Sequence, residues 1–559
     1  MPGRSICTAI RVECSARLTK SGKLPFYNYI FLEAFHCCNA SNGEPMKKRN
    51  LFGLVLMLVF ALRVNAAVAP RHVSPATMNE NTRELFHESM ALDDMFYDES
   101  VKLVRRPPAA EQAHGGEAGS RAGYHMVRES SWYALGLLVR DERGDRQRAS
   151  DILDAVLKQQ YLTPGKPWYG TFRRAPEEKD PAPDATMWKN FDPNWRVFIG
   201  TTFEIILIKY PDRISPELSQ RMYAAIDRGI EGEIAEKRLL PSYSNIALMY
   251  GAQWDFAATH NGRADWKKQS TEWTEAVYKL YKQHDAFFEY NSPTYCGVDI
   301  YGLALWRSYG STSRMRAMGS EMEDGLWREI ANLYQPALRN ISGPYDRAYG
   351  MDMESYVSVV GVWMRTVLDA NHAPLPPITA TTDHVPDVWL APQIAVLGTH
   401  IPEDAFKKMI AFEGEHLVNR KITDQRTATA WIGKYAIFGG EATNKTKDVG
   451  PASQFHPATI QWRTPSGEIG WVQLYQAPMI DATADAHGIT ISATGTIRIR
   501  IHAKGIDETK IDATGWELPG LKVAVSTDSK SFSKDETGDN VDLVYSGITD
   551  TRWEITPVP

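Results

Sequence analysis

Apolar runs too continuous for a surface helix recur through the first two thirds of the chain. Residues 293–308 are apolar nearly all round, and a helix with apolar residues on every side is buried on every side. Residues 125–140, 195–208, 243–256 and 351–368 have the same character. Each run predicts a helix in the interior of a helical domain.

Between these runs, apolar residues recur with the spacing of an amphipathic helix. Such patterns cover residues 77–105, 145–159, 216–230, 264–282 and 314–338. Buried and amphipathic helices therefore alternate about five times, which is typical of an α/α toroid of about five to seven hairpins, complete or incomplete. A helical superhelix and a globular bundle are the alternatives.

The period of the pattern changes beyond residue 419. Residues 496–502 alternate between apolar and polar side chains, and a clear hairpin turn lies at 464–467. We therefore predict a mainly α protein, with an α/α-toroid domain over residues 67–417. An antiparallel β-sandwich over residues 418–559 follows it and serves as a scaffold.

The first 66 residues differ from the rest in composition. A basic stretch that begins at Met46 precedes the apolar run 51–62, and small residues lead to Ala67. This order is typical of a secretory signal peptide over residues 46–66, so residues 1–45 are interpreted as an upstream mis-start. Because the apolar run is short for a membrane span, we expect cleavage, no stable membrane insertion, and a periplasmic or secreted protein. An uncleaved signal anchor is the alternative.

Charge and cysteine content restrict the possible partners. The net charge is −6, so the chain has no electrostatic footprint for nucleic acid and must bind any anionic ligand at a local site. Four of the five cysteines precede residue 67, which leaves Cys296 and fits an exported protein without disulfides. No zinc-like spacing, P-loop or dinucleotide-binding glycine pattern occurs, so neither a metal nor a cofactor is predicted.

Polar and aromatic residues stand ahead of each buried helix, whereas the opposite loops are short and plain. In a toroid these residues converge at one mouth, and the N-termini of the inner helices direct partial positive charge there. The candidate substrate-binding residues are Trp168, Tyr169, Asn194, Arg196, Tyr243, Asn291 and Tyr349.

The chemistry of this mouth leaves three classes of function open. A glycoside hydrolase needs two carboxylates beside the scissile bond, and Asp192, Glu289 or Asp352 supply them. The more numerous amides, tyrosines and arginines suit β-elimination next to a carboxylate, in which a Tyr or His removes the C5 proton and a Tyr protonates the leaving oxygen. A non-catalytic glycan-binding protein is the third class.

The toroid pattern, the leader, the trailing β-domain and an Asn, Tyr and Arg set together resemble the α/α-toroid polysaccharide lyases that act on alginate, glucuronan and related uronic-acid polymers. The resemblance implies that Asn245 neutralises a carboxylate, Tyr295 acts as base and acid, and Arg347 stabilises charge. The Asn-His pair of that family is absent at an inner-helix start, so His284 or His125 would have to serve. The implied partner is an anionic polysaccharide, and no cofactor is implied.

Each candidate also has a purely structural interpretation. Tyr295 suits a core tyrosine with a bonded hydroxyl, and Asn245 suits the first turn of a helix. Arg347 has acidic neighbours in sequence with which to form an ion pair. His284 suits a loop histidine, and Trp168 suits packing after a proline.

Overall fold

The protein combines an N-terminal helical part with a C-terminal β-rich part. Its computed structural model describes residues 72–107, 123–445, 454–475 and 480–558. The predicted leader lies outside these residues. No helix in the described part of the chain is both long and apolar enough to cross a membrane.

The helical part confirms the prediction of a helical domain. Within the described residues it contains twelve α-helices: α1 Glu80–Phe96, α2 Val127–Arg140, α3 Asp145–Leu157, α4 Trp195–Lys209, α5 Pro216–Glu236, α6 Ser244–His260, α7 Ala264–Tyr281, α8 Tyr295–Tyr309, α9 Ser313–Leu333, α10 Val359–Arg365, α11 Ala391–Leu397 and α12 Glu403–Ile410. A 3-10 helix, Val385–Leu390, precedes α11.

The buried and amphipathic helices occupy different layers. Helices α2, α4, α6, α8 and α10 are buried along most of their length. Each packs against the next in this series, and α11 contacts both α10 and α2. Helices α3, α5, α7 and α9 pack against α2, α4, α6 and α8 respectively, with their polar faces exposed. Burial on every side explains the unbroken apolar runs.

Helix α10 begins later than the sequence predicts. The expected helix over residues 351–368 is helical only from Val359, because the Ser358 hydroxyl accepts a hydrogen bond from the Gly361 amide and caps the helix there. The preceding residues form a loop, which pairs Tyr345 with His456 of the β-rich part. Tertiary contacts thus replace about two turns of the predicted helix.

The described residues of the β-rich part form eleven strands. They are β6 His416–Lys421, β7 Thr427–Ile432, β8 Ala436–Ala442, β9 Ala458–Arg463, β10 Ile469–Tyr475, β11 Ile480–Asp485, β12 Gly488–His502, β13 Gly515–Leu518, β14 Leu521–Thr527, β15 Ser531–Thr537 and β16 Asn540–Pro557. The helical part, where the structure describes it, adds five short strands: β1 Tyr97–Asp98, β2 Leu103–Arg105, β3 His125–Met126, β4 Tyr334–Gln335 and β5 Asn340–Ile341.

The prediction of a two-sheet sandwich is wrong. All eleven strands belong to one hydrogen-bonded sheet, in which β8, β9, β10, β12 and β11 pair in turn and close a five-stranded barrel. The physical reason lies in β12, which pairs with β11 through its first half and with β10 through its second. Its pairing with β16 is irregular at Gly495, and such an irregularity bends a strand without ending it.

Candidate active site

A cavity of about 780 Å³ lies at the N-terminal ends of the buried helices. First-turn residues of four helices line it: Arg128 of α2, Trp195 of α4, Asn245 of α6 and Tyr295 of α8. Helix N-termini carry partial positive charge, so their convergence favours a negatively charged group in the cavity.

Five residues form a connected group in this cavity, called here the Tyr295 cluster: Asn245, Glu289, Tyr295, Arg347 and Tyr349. The Asn245 amide donates to one oxygen of Glu289 at 2.9 Å, and Arg347 Nη1 donates to the other at 3.0 Å. Arg347 Nη2 donates to the Tyr295 hydroxyl at 2.6 Å. The Tyr295 hydroxyl is also hydrogen bonded to the Tyr349 hydroxyl. Glu289 thus fixes an amide and a guanidinium beside one tyrosine hydroxyl.

Burial raises the pKa of two groups in the Tyr295 cluster, the Tyr295 hydroxyl and the Glu289 carboxyl. Desolvation raises the pKa of the Tyr295 hydroxyl well above its usual value, with Tyr349 acting in the same direction and Arg347 against it. Desolvation also raises the pKa of Glu289, while the adjacent Arg347 guanidinium lowers it. Tyr295 therefore carries its proton at neutral pH.

Three of the predicted substrate-binding residues, Asn194, Tyr243 and Tyr349, line the cavity. The Asn194 amide donates to the Tyr243 hydroxyl at 2.9 Å, and Arg238 donates to the Asn194 carbonyl oxygen at the same distance. Polar side chains from the ends of α4, α5 and α6 are therefore held in one network along the cavity wall.

Arg196 and Tyr169 lie outside the cavity. Arg196 is only 1% exposed, since its guanidinium donates to the backbone oxygens of Pro167 and Tyr169 and to the Glu233 carboxylate. The Tyr169 hydroxyl donates to Glu231 on the surface at 3.1 Å. Both side chains join α4 and α5 to the preceding loop, and neither lines the cavity.

Trp168 and Asn291 also lie outside the cavity. The Trp168 ring packs edge-on against Phe191, with centroids 5.7 Å apart. The Asn291 amide donates to the backbone oxygens of Ser342 and Pro344, both at 2.7 Å, and is buried. The structure therefore places these predicted binding residues in packing and loop-bracing positions.

Two of the three candidate carboxylates line the cavity. They are Glu289 and Asp192, and burial raises the pKa of Asp192 as it does that of Glu289. Asp352 lies elsewhere, where its carboxylate accepts from the Glu354 amide and desolvation raises its pKa to about 6.

The structure does not bring His284 to Asn245, Tyr295 and Arg347. Its Nε2 lies 3.6 Å from an Asp424 oxygen, outside the cavity, because only the later part of its loop reaches the lining. His125 is outside as well, with its ring nitrogens 2.5 Å from Glu177 and 3.2 Å from Asp98.

A different histidine, His384, lines the cavity. Its ring stacks on Tyr349 with centroids 4.5 Å apart, and Nδ1 lies 3.9 Å from an Asp387 oxygen. Sequence analysis missed it because residues 374–384 have neither helical nor strand periodicity. Its left-handed backbone, with φ of 55°, depends on contacts that local sequence does not show.

The β-rich part contributes directly to the site. Gln454 Oε1 accepts from Arg347 Nε at 2.9 Å, so a residue ahead of β9 orients this guanidinium. Arg426, between β6 and β7, bonds both Asp346 at 2.5 Å and the Glu441 carboxylate at 2.7 Å. These contacts fix the loop that carries Arg347. The β-rich part therefore does more than serve as the scaffold that the sequence predicted.

Cationic side chains are concentrated at the cavity despite the negative charge of the whole chain. Within the described ranges, the lining contains six arginines: Arg106, Arg128, Arg174, Arg238, Arg347 and Arg426. It contains five carboxyl groups: Glu129, Asp192, Glu289, Asp346 and Asp387. Among the described residues, no group of three or more His, Cys, Asp or Glu side chains is arranged to hold a metal ion.

Asp387→Asn should make protein stability less dependent on pH. Desolvation raises the pKa of Asp387 from 3.8 to about 7, against the lowering effect of Arg128. Between about pH 4 and pH 7 the native state therefore holds a proton that the unfolded chain has released, so stability falls as pH rises through this window. Between pH 5 and pH 8, we expect the free energy of unfolding to fall by about 1–2 kcal/mol less in the variant than in the parent protein.

Urea unfolding at pH 5 and pH 8 measures this difference. Asp424→Asn is the matched control, because Asp424 is exposed and Lys421 lowers its pKa, so it titrates below the window. Equal pH slopes for the Asp387 variant and the parent protein would contradict the assignment.

Comparisons with known proteins place the chain in a family and give distant structural similarities. Residues 83–399 match the family model described as a domain of unknown function (DUF8769), and residues 414–549 match the model described as a domain of unknown function (DUF8770). The comparison with curated proteins gave no match.

Several solved structures are similar over most of the chain. Heparinase III has a TM-score of 0.42 and 9% identity, with 91% of each chain covered. The Streptomyces coelicolor A3 chondroitin AC lyase in complex with chondroitin sulphate has a TM-score of 0.42 and 9% identity, with 86% of this chain and 79% of that chain covered. The endoglucanase CelQ of Clostridium thermocellum has a TM-score of 0.22 and 8% identity, with 86% and 93% covered. At such low scores these similarities establish no shared activity.

Proposed function

The chain belongs to the DUF8769 family, whose model matches more than half of its residues, and we propose that it is a polysaccharide lyase that cleaves a uronate-containing polymer by β-elimination. The supporting observation is the Tyr295 cluster. A protonated tyrosine hydroxyl lies 2.6 Å from a guanidinium nitrogen, and one carboxylate holds that guanidinium and the Asn245 amide.

The cluster supplies the groups that the elimination needs. The uronate carboxylate binds beside Asn245 and Arg347, which stabilise the negative charge that grows on it as the C5 proton leaves. Tyr295 donates its proton to the glycosidic oxygen as the bond from that oxygen to C4 breaks. The electron pair of the C5–H bond forms the C4–C5 double bond, so the products are an unsaturated uronate and a free hydroxyl.

His384 is proposed as the base. It lines the cavity and stacks on Tyr349, whose hydroxyl is hydrogen bonded to Tyr295. A neutral imidazole is a suitable acceptor for the C5 proton near neutral pH. After the reaction, loss of the proton from His384 to solvent and uptake of a proton by Tyr295 restore the starting state.

The substrate is proposed to be an anionic polysaccharide that the protein meets outside the cytoplasm. The signal-like segment 46–66 supports export to the periplasm or medium, with a mature N-terminus near Ala67. N-terminal sequencing of exported protein tests this, and material that still begins at Met1 or Met46 would contradict it.

Hydrolysis is the second candidate function, favoured by the two half-buried carboxyl groups of Asp192 and Glu289 in the same cavity. Paired carboxyl groups with raised pKa are the usual equipment of glycosidases. Here, however, Glu289 already accepts hydrogen bonds from both Asn245 and Arg347, a role that suits positioning better than nucleophilic attack.

Product analysis separates these functions. The purified protein is incubated with a panel of uronic-acid polymers, and each reaction is followed by ultraviolet absorbance and by a reducing-end assay. A lyase produces both signals, because the new double bond conjugates with the carboxylate and absorbs. Reducing ends without absorbance would establish hydrolysis, and binding without either product would establish a glycan-binding protein.

A further inference from the structure

Arg128, in the first turn of α2, is held rigidly at the cavity wall. Its guanidinium carbon lies 4.8 Å from the ring centroid of Trp132, 5.3 Å from that of Trp195 and 5.0 Å from that of Phe198. Its Nε and Nη2 donate to one oxygen of Glu129, at 3.0 and 2.5 Å. The aromatic rings and the carboxylate together determine the orientation of the guanidinium.

One edge of this guanidinium remains available to a ligand. Among the described residues Nη1 of Arg128 has no hydrogen-bond partner, and the side chain, 22% exposed, lines the cavity. Arg347 differs, since its Nε, Nη1 and Nη2 donate to Gln454, Glu289 and Tyr295 respectively. Arg128 therefore offers donor capacity that the Tyr295 cluster does not use.

The chemistry of this edge suits an oxyanion. A guanidinium presents paired N–H donors that match the oxygens of a carboxylate or a sulfate. The aromatic rings restrict the rotamers of Arg128 before any ligand arrives, so binding loses little side-chain entropy. The pairing with Glu129 offsets part of the charge, which favours a ligand that uses directed hydrogen bonds.

Arg128 lines the same cavity as the Tyr295 cluster, and its own hydrogen bonds among the described residues go to Glu129 and not to the cluster. His384 contacts Tyr349 on one side and lies 3.9 Å from Asp387 on the other. The Arg128 guanidinium is close enough to Asp387 to lower its pKa against the effect of burial. An anion on Arg128 thus shares the cavity with a carboxylate at Asn245 and Arg347 and uses a different donor.

We propose that Arg128 binds a second acidic group of the polymer, on a sugar next to the one that undergoes elimination. This inference rests on the proposed function and narrows its substrate class to polymers with acidic groups on neighbouring sugars. The second group is an oxyanion: either the carboxylate of a consecutive uronate or a sulfate ester on an alternating sugar.

The test compares three oligosaccharides of equal length: consecutive uronates, uronate alternating with a neutral sugar, and the same alternating oligomer with sulfate on the neutral sugar. Two of these oligosaccharides carry acidic groups on neighbouring sugars: the consecutive uronates and the sulfated alternating oligomer. Arg128→Gln should lower kcat/KM at least about tenfold on at least one of these two, and less than about threefold on the unsulfated alternating oligomer. Which diacidic substrate shows the loss identifies the carboxylate or the sulfate. Equal losses on all three, or none, would overturn the proposal.

Binding without turnover provides a second measurement. Calorimetry on Tyr295→Phe, with and without Arg128→Gln, gives the Kd of each oligosaccharide. The arginine change should weaken diacid binding at least about tenfold and leave binding of the unsulfated alternating oligomer nearly unchanged. If no polymer yields an unsaturated product, the proposed function fails, while this ratio still decides whether Arg128 reads a second acidic group.

Arg263→Gln is the matched control for loss of a stacked, paired arginine. Arg263 lies 3.9 Å from the Trp266 ring centroid and pairs with Asp265 outside the cavity. Arg263→Gln should leave all three kcat/KM values unchanged.

Arg128→Lys keeps the positive charge and loses the planar pair of donors. On the substrate that responds to Arg128→Gln, its kcat/KM should lie between those of the parent protein and Arg128→Gln. Thermal unfolding confirms that each variant is folded.

Discussion

Tyr295→Phe should lower kcat at least about 10²-fold while the protein stays folded, the loss typical of a removed general acid or base. The change keeps the ring and its packing against the Arg347 guanidinium, 3.5 Å from the ring centroid, and removes only the hydroxyl. That hydroxyl accepts from Arg347 and is bonded to Tyr349, so stability should fall by about 1–2 kcal/mol.

The rate of ultraviolet-absorbing product, measured on the folded variant, tests this directly. Tyr334→Phe is the matched control, because Tyr334 is a buried tyrosine that does not line the cavity. Its kcat should equal that of the parent protein. A fully active Tyr295→Phe would show that this hydroxyl transfers no proton in the rate-determining step, and the assignment of Tyr295 would have to be withdrawn.

Arg426→Leu should destabilise the protein by about 3–5 kcal/mol, because it leaves two buried carboxylates without their cation. Arg426 is 3% exposed and bonds both Asp346 and Glu441, which are themselves buried. Asp346 also accepts from the Tyr290 amide at 2.7 Å and directly precedes Arg347. The loss should therefore loosen the Arg347 loop and lower kcat as well.

Urea unfolding measures the change in stability, and product formation at a temperature well below unfolding measures the change in kcat. Arg500→Leu is the control, since the Arg500–Asp542 pair is 41% and 32% exposed and such surface pairs contribute about 0–1 kcal/mol. A decrease below about 1 kcal/mol for Arg426→Leu would mean that the junction between the helical and β-rich parts tolerates the unpaired carboxylates.

The sequence by itself determined which helices are interior. A helix that is apolar on every side and an amphipathic helix, apolar on one side, have different residue patterns in each turn. This local pattern is enough to predict which helix is buried. The period-two alternation of residues 496–502 identified a strand for the same reason, and these residues lie in β12. Asn194, Tyr243, Asn245, Glu289 and Tyr349, chosen for their place ahead of buried helices, do line the cavity with Tyr295 and Arg347.

Only the tertiary structure decided which polar residues reach that cavity. Arg196 and Arg347 both stand near the start of a buried segment, yet Arg196 is enclosed by Glu233 and backbone oxygens, whereas Arg347 is turned inward by Glu289 and Gln454. Those partners are 27 to 107 positions away in the chain. Local spacing carries no information about them.

The same limit explains His384 and the β-rich part. His384 reaches the site from a segment without periodicity, and its ring is placed by Tyr349. Apolar alternation showed that β12 has a buried face, but both a sandwich and a closed barrel bury one face of each strand. Which strands pair depends on hydrogen bonds between distant segments, and these form only when the whole chain is folded.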